Sequence, residues 1–317
     1  MLIVYPCAMK TLSRIIIFLF IVLDVFLVGK LLLTGKNIQI LNPAGYIALQ
    51  ERNLLYLCVF IMVIVVVPVF IFAIHVAKTY HEDNKNAQYT PDWDHSTKLQ
   101  AFLWAFPTFV ILILCVINWV SAHKLDPHNE LINGTKPMVI QVVALRWKWL
   151  FIYPGQGVAS VNNVVFPEKT PITFEITASD TPMNSFWIPQ LDGQIYAMAG
   201  MATQTHLIAD TEGVYRGSSG EIDGQGFADM TFSARSVTQG NFDAWVERVK
   251  QSPQALTTDS FNDLNQPTQN VPPEYFSSTE TNLYTTIVMK YMAHPSESAD
   301  MQSMPETNLQ TAGKGGS

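Results

Sequence analysis

Cysteine is scarce, and it is missing where chemistry would need it. The 317-residue chain has three, Cys7, Cys58 and Cys115. Everything after residue 115 therefore lacks the material for a disulfide framework, a thiolate zinc site or a thiolate copper site. Histidine offers no substitute. The seven residues His75, His81, His95, His123, His128, His206 and His294 form no HExxH, no HxH and no other pair at metal-ligand spacing. A G-x-S-x-G elbow is missing, so the usual frame for a serine nucleophile is too. The glycines around 213–220 come without the lysine of a phosphate loop. A basic surplus is also lacking. From Lys124 onward 11 Lys+Arg stand against 20 Asp+Glu, and such a surface excludes nucleic acid as a partner, because neutralising phosphates takes a basic face.

Charge is missing most conspicuously over 54–77, where 24 successive residues carry none. Roughly 20 apolar residues cross a hydrocarbon core, so this run predicts a transmembrane helix, kinked at Pro68. A second run over 99–120 has Trp104 and Trp119 toward its ends, where an aromatic belt belongs. Together they predict a helical hairpin within 37–123. The first 36 residues read two ways. Lys10 and Arg14 before an apolar stretch have the form of a secretory signal, while Asp24 and Lys30 inside it also fit an imperfect first transmembrane segment. Either reading starts the chain in the cytoplasm and puts everything after Lys124 outside.

Beyond Lys124 the pattern changes to short runs rich in Val, Ile, Thr and aromatics. They lie at 138–145, 147–153, 172–177, 203–208 and 230–237 and are punctuated by Gly, Pro, Asn and Asp. That pattern predicts a β-sandwich or barrel over 124–239. From 240 a helix is expected, with Asn241 as N-cap and Phe242, Trp245, Val246 and Val249 on one face. A second short helix is expected at 282–295, completing a helical arm over 240–295. The polar stretch 296–317 reads as a disordered tail.

Two helices followed by an external β-sandwich resemble subunit II of the haem-copper oxidases, and particular residues strengthen the likeness. The copper-bearing members hold a binuclear centre in a C-x-E-x-C-G-x-x-H-x-x-M loop. Here 219–230 reads SGEIDGQGFADM. Glu221, Gly224 and Met230 keep their places, Ser219 and Asp223 stand where the cysteines would be, and Phe227 stands where the histidine would be. The family's other histidine precedes an S-[FW]-x-x-P segment, and NSFWIP at 184–189 puts Asn184 there. Two bridging thiolates hold the metals of such a centre, and serine and aspartate cannot replace them. Further segments, RWKWLFIYP (146–154), QIYAMAGM (194–201) and HLIADTEGVYRG (206–217), are similar to the quinol-oxidising branch, the ubiquinol oxidases of the cytochrome bo type.

The resemblance implies a membrane-anchored all-β protein: a transmembrane α-hairpin, a cupredoxin-like sandwich without its metal, and a short helical C-terminal arm. It implies a non-catalytic structural and assembly subunit of a proton-pumping quinol oxidase, in a bacterial inner membrane with the C-terminal domain in the periplasm. Its partners would be oxidase subunit I, further small membrane subunits, lipid and the quinol bound by the complex. This chain would hold no cofactor, the haems and copper belonging to subunit I. Two other classes are the alternatives: a copper-bearing subunit of a cytochrome c oxidase, opposed by the missing ligands, and a membrane-tethered binding module. Trp147 and Trp149 are expected in core or interface packing, and Phe227 as an apolar plug in the space a histidine and metal would fill. Glu221 matches a glutamate that helps bind magnesium in relatives, against the plainer reading of a surface carboxylate. Two departures stand out. Lys36 occupies the place of a lipoprotein cysteine, and Gln100 the place of a glutamate at the mouth of a proton path in many relatives.

Overall fold

The computed structural model describes residues 38–81, 84, 95–129, 131 and 134–292, with five positions between 23 and 30. The readings made for 1–36, for Lys36 and for the tail 296–317 lie largely or wholly outside the described residues. Helix α1 spans Tyr46–Thr79 and α2 spans Thr97–Lys124. Both exceed the charge-free runs that predicted them. Thirty-four residues at 1.5 Å each make α1 ~51 Å long, well beyond a ~30 Å hydrocarbon core. Its polar first turns, with Gln50, Glu51 and Arg52, therefore project past the apolar layer. Phe60, Phe70 and Phe72 on α1 and Phe102, Trp104 and Trp119 on α2 are exposed, as side chains facing lipid must be. Lys124 Nζ donates to Gln50 Oε1 at 3.4 Å, so the end of α2 meets the start of α1 and the pair is antiparallel.

The soluble part is a two-sheet sandwich. Its strands among the described residues are β1 (Met138–Leu145), β2 (Lys148–Tyr153), β3 (Val158–Val161), β4 (Asn163–Pro167), β5 (Ile172–Ala178), β6 (Asn184–Trp187), β7 (Gln194–Ala197), β8 (Thr203–Leu207), β9 (Gly213–Ser219), β10 (Thr231–Val237) and β11 (Glu274–Phe276). One sheet runs β11-β3-β2-β1-β5-β8 and the other β4-β10-β9-β6-β7. β1 pairs parallel with β5 and β10 parallel with β4, and the other pairings are antiparallel.

Strand β2 explains the layering. Every one of its six residues is buried. Trp149, Phe151 and Tyr153 face the space between the sheets, while Leu150 and Ile152 face a second apolar cluster on the outside. A strand buried on both faces reads as a continuous apolar run rather than an alternation, and something must cover its outer face. The arm does so. Between the sheets, Phe186 stacks on Phe232 at 5.1 Å and meets Trp149 edge-on at 5.3 Å, contacts that contribute about 0.5–1.5 kcal/mol each beyond area burial.

The arm contains α3 (Gln239–Lys250), α4 (Thr258–Leu264), strand β11 and α5 (Leu283–Met292). Helix α3 buries Phe242, Trp245, Val246 and Val249, the face its spacing predicts. Its N-cap is Thr238 rather than Asn241: the Thr238 hydroxyl accepts from the Asn241 amide, so the helix begins three residues earlier. Phe261, Phe276, Leu283, Tyr284, Ile287 and Val288 fill the outer cluster against Val143, Leu145 and Leu150. The arm is thus half of a core, and β11 extends the domain's own sheet beside β3.

Two polar latches fasten it. Buried Lys148 donates to the Gln266 carbonyl at 2.8 Å and to Thr268 Oγ1. The Asp180 carboxylate accepts from Tyr291 Oη at 2.6 Å, Asn265 Nδ2 at 2.6 Å and Lys290 Nζ at 3.3 Å.

Candidate functional site

The positions singled out in the sequence converge at one end of the sandwich. Asn184 opens β6, Ser219 closes β9, and the loop between β9 and β10 carries Glu221, Asp223, a 3-10 turn over Phe227–Asp229, and Met230. Asn184 and Met230 are completely buried, and Ser219 nearly so. Asn184 Oδ1 accepts a hydrogen bond from Ser219 Oγ at 3.1 Å, and Asn184 Nδ2 donates to Thr181 Oγ1 at 3.0 Å and to the Pro182 carbonyl at 2.9 Å. The Ser219 amide donates to the Met230 carbonyl at 3.2 Å, which joins the two ends of the loop. A direct amide-to-hydroxyl contact thus spans two positions between which a copper centre would lie.

Asp223 leans into the same pocket. Thr181 Oγ1 donates to its Oδ2 at 3.5 Å, and burial raises its carboxyl above the ordinary range, opposed by hydrogen bonds that include Asn184 and Thr181. The loop lies on Trp147. That residue sits at φ +65° in the tight turn between β1 and β2, and Gly224 at φ +125° packs over its indole. A methyl group on Gly226 would fall inside the ring, so only glycine lets the loop descend that far. Trp147 Nε1 and Asp223 Oδ1 are both buried without a geometric hydrogen-bond partner.

The donors present are therefore an amide, a hydroxyl, a carboxylate, a phenyl ring and one thioether. That set does not fit a thiolate-bridged copper centre, which needs soft anionic sulfur and imidazole nitrogen. Among the described residues no group of three or more His, Cys, Asp or Glu is arranged to hold a metal ion.

Phe227 departs from its expected role. It is half-buried in the 3-10 turn and takes no part in the core cluster, so the space is closed by the Asn184–Ser219 pair and Trp147 instead. Glu221 is half-buried, and its backbone, not its carboxylate, bonds to Ser219. His206, on β8, is buried with Nδ1 3.0 Å from Thr173 Oγ1. Gln100 lies far from this end in the chain fold, exposed in the first turn of α2, its amide donating to Ser96 O at 2.9 Å. Sequence reasoning missed Thr181, which binds both Asn184 and Asp223. A lone threonine in a turn carries no signal of such a role.

Comparison with known proteins agrees with this geometry. The family described as cytochrome c oxidase subunit II, periplasmic domain, matches residues 156–237, and the cytochrome oxidase aromatic-rich motif matches 250–295. Cytochrome bo(3) ubiquinol oxidase subunit 2 of Pseudomonas aeruginosa is 46% identical over 84% of this chain and 81% of its own length. Ubiquinol oxidase subunit 2 of Acetobacter aceti is 44% identical over 83% and 86%. Quinol oxidase subunit 2 of Bacillus subtilis is 34% identical over 82% and 78%. Among solved structures, the periplasmic domain of subunit II of a Bradyrhizobium japonicum cytochrome oxidase covers 35% of this chain and 91% of that one, with a TM-score of 0.33 at 26% identity. On the identity of these relatives and the share of each chain that the matches cover, the chain belongs to the quinol oxidase subunit 2 family.

Proposed function

We infer that this chain is the second, non-catalytic subunit of a quinol:oxygen oxidoreductase complex, in which it anchors and shapes the outer face of the assembly without relaying electrons. The observation that carries the reading is the hydrogen bond between Asn184 and Ser219, which replaces metal ligands by a self-satisfied polar pair. Electrons drawn from a membrane quinol need no external copper entry point, and a subunit freed of that task keeps only its fold and its contacts. Trp147 and Trp149, with no acceptor beside them, serve packing.

In this reading the chain holds no cofactor. Haems, copper and the reduction of dioxygen to water belong to subunit I, and further small membrane subunits complete the complex. The α1–α2 hairpin lies in a bacterial inner membrane against subunit I, and the sandwich stands on the periplasmic side. Met183, Tyr196, Met201 and Ile222 expose apolar surface, and Ile222 lies in the altered loop while Met183 directly precedes Asn184, which supports the use of this end as a contact with subunit I. Glu221, with its carboxylate outside the Asn184–Ser219 pair, serves as a rim residue of that contact. Gln100 marks the mouth of a proton path into subunit I.

The test is purification of the intact complex through a tag on this chain. Haem-containing subunit I should copurify, and the preparation should consume oxygen with a quinol donor but not with reduced cytochrome c. A haem-free preparation, or one driven by cytochrome c, would refute the reading.

A further inference from the structure

The seam where α1 joins the sandwich holds two carboxylates that the reading above does not use. The chain just before α1 docks on the domain by its backbone. Ala44 N donates to Gln190 O at 2.7 Å, Asp210 N to Ala44 O at 2.8 Å and Ala48 N to Leu191 O at 3.4 Å, and Gly45 forms an isolated bridge with Ala209. Gln190 Nε2 adds a bond to Asn42 O at 3.1 Å. Directly beside these bonds, Asp192 is 7% exposed. Its Oδ2 accepts from Thr205 Oγ1 at 2.5 Å and its Oδ1 from the Gly193 amide at 2.8 Å. Glu51, from the second turn of α1, lies over the same glycine: a Cβ on Gly193 would stand 2.6 Å from Glu51 Oε1.

Two acidic side chains therefore flank one glycine inside a packed interface. The groups facing Asp192 are the Thr205 hydroxyl from β8, the Gly193 amide from its own turn and the Glu51 carboxylate from α1, and none of them is a cation. The neighbouring basic residue on α1, Arg52, lies over the Tyr56 ring at 5.8 Å and donates to Asn53, both on its own helix. His206, next to Thr205 on β8, directs Nδ1 to Thr173. Like charges this close in a buried site cannot both ionise without cost.

We propose that Asp192, buried at the seam between α1 and the sandwich with Glu51 over the adjacent glycine, carries a proton there, and that loss of this proton loosens the seam. Burial first, and then the Glu51 charge, push Asp192 up to about 7, against the lowering effect of the Thr205 and Gly193 hydrogen bonds. When the seam opens, Asp192 returns to the ordinary value of 3.8. The closed seam thus holds the extra proton. It is tightest below 3.8, weakens by up to about tenfold per pH unit as pH rises toward 7, and levels off above. Acid on that side of the membrane closes the joint. A proton-translocating oxidase would acidify the same side, so turnover would stiffen the mounting of its own outer domain. That consequence rests on the quinol-oxidase reading, whereas the switch does not.

Hydrogen exchange on the intact detergent-solubilised assembly tests the switch, followed at the amides of Ala44, Ala48 and Asp210 and corrected for intrinsic base catalysis. From about pH 5 to about pH 8 the wild type should lose protection by tenfold or more. Asp192→Asn should flatten the profile, and Glu51→Gln should move its midpoint downward by removing the neighbouring charge. Protection independent of pH in the wild type, or an unchanged rise in Asp192→Asn, would overturn the proposal. Should Asp192→Asn fail to assemble, the midpoint in Glu51→Gln decides: an unmoved midpoint shows that the titrating group is not Asp192 beside Glu51 and refutes the proposal. Oxygen consumption plays no part in this readout, so a failure here leaves the functional reading standing.

Discussion

Asp180 is the counterpart of Asp192 with the opposite sign. Its carboxyl is held below the ordinary 3.8, first by the Tyr291 hydroxyl and then by Lys290 and Asn265, against a desolvation effect that raises it. Its contribution to holding α5 is present above 3.8 and is lost as pH falls through the depressed value. Because Asp180 and Lys290 are about half exposed, the contribution is expected to stay below ~1 kcal/mol. We therefore expect strong acid to free the end of α5, measured as faster proteolysis in the arm. Asp180→Asn should show that faster cleavage at neutral pH and little further change on acidification. These two aspartates have the same side chain and opposite responses. Sequence could not separate them, since what distinguishes them is a hydroxyl contributed 111 residues away in one case and a buried seam in the other. Asn184, Ser219 and Asp223 were legible in the sequence because a known spacing exposed them. Thr181, Trp147's place beneath the loop, and the half-buried position of Phe227 depend on how the loop descends, which spacing does not encode.

At the level of elements, the long apolar helices and strands β1, β2, β5, β8 and β10 were legible from hydrophobic runs. Strands β3, β4, β6, β7 and β11 were not, because they have only three to five residues and offer too few positions to show a period, and the seven-residue β9 was hidden by its glycines and serines, GVYRGSS. Thr238 was overlooked as a cap because Asn241 sits next to the apolar face. The arm read as helices after a domain, yet it supplies a strand and the cover for β2, β1 and β3. Helix α2 carries the remaining expectation. Gln100 is exposed in its first turn, and the nearby acids Asp92 and Asp94 lie outside the described residues. An amide can hold a water chain through its hydrogen bonds but cannot exchange protons with bulk water, as a carboxylate does. Gln100→Glu should therefore leave the complex assembled and leave or raise the rate of haem reduction in time-resolved measurements. Marked slowing would contradict a place on the proton path.

The whole molecule divides into an exposed apolar hairpin and a sandwich whose two clusters are filled by its own side chains. The second part, from about Lys136 through the arm, is expected to complete its packing without metal or thiolate. Expressed alone to residue 295, it should fold, melt cooperatively and bind no stoichiometric copper after incubation with the ion. Elemental analysis and the visible and near-infrared spectrum check this. Two tightly held copper ions per chain would show that the polar pair at Asn184 and Ser219 is not the barrier it is taken to be. A fragment cut before the arm should fail to fold, since the outer faces of β1 and β2 would be laid bare to water.

The reach of the arm has a consequence in time as well as in space. Lys148 waits for a carbonyl 118 positions further on, Asp180 for a hydroxyl 111 positions further on, and β3 for a partner strand that begins at Glu274. A chain emerging in order from the ribosome and across a membrane therefore presents a half-sheathed sandwich for most of its synthesis. It becomes a finished domain only when residue 291 has arrived. The interval in which a chaperone or a partner subunit would find apolar strands still open is set by the length of that wait.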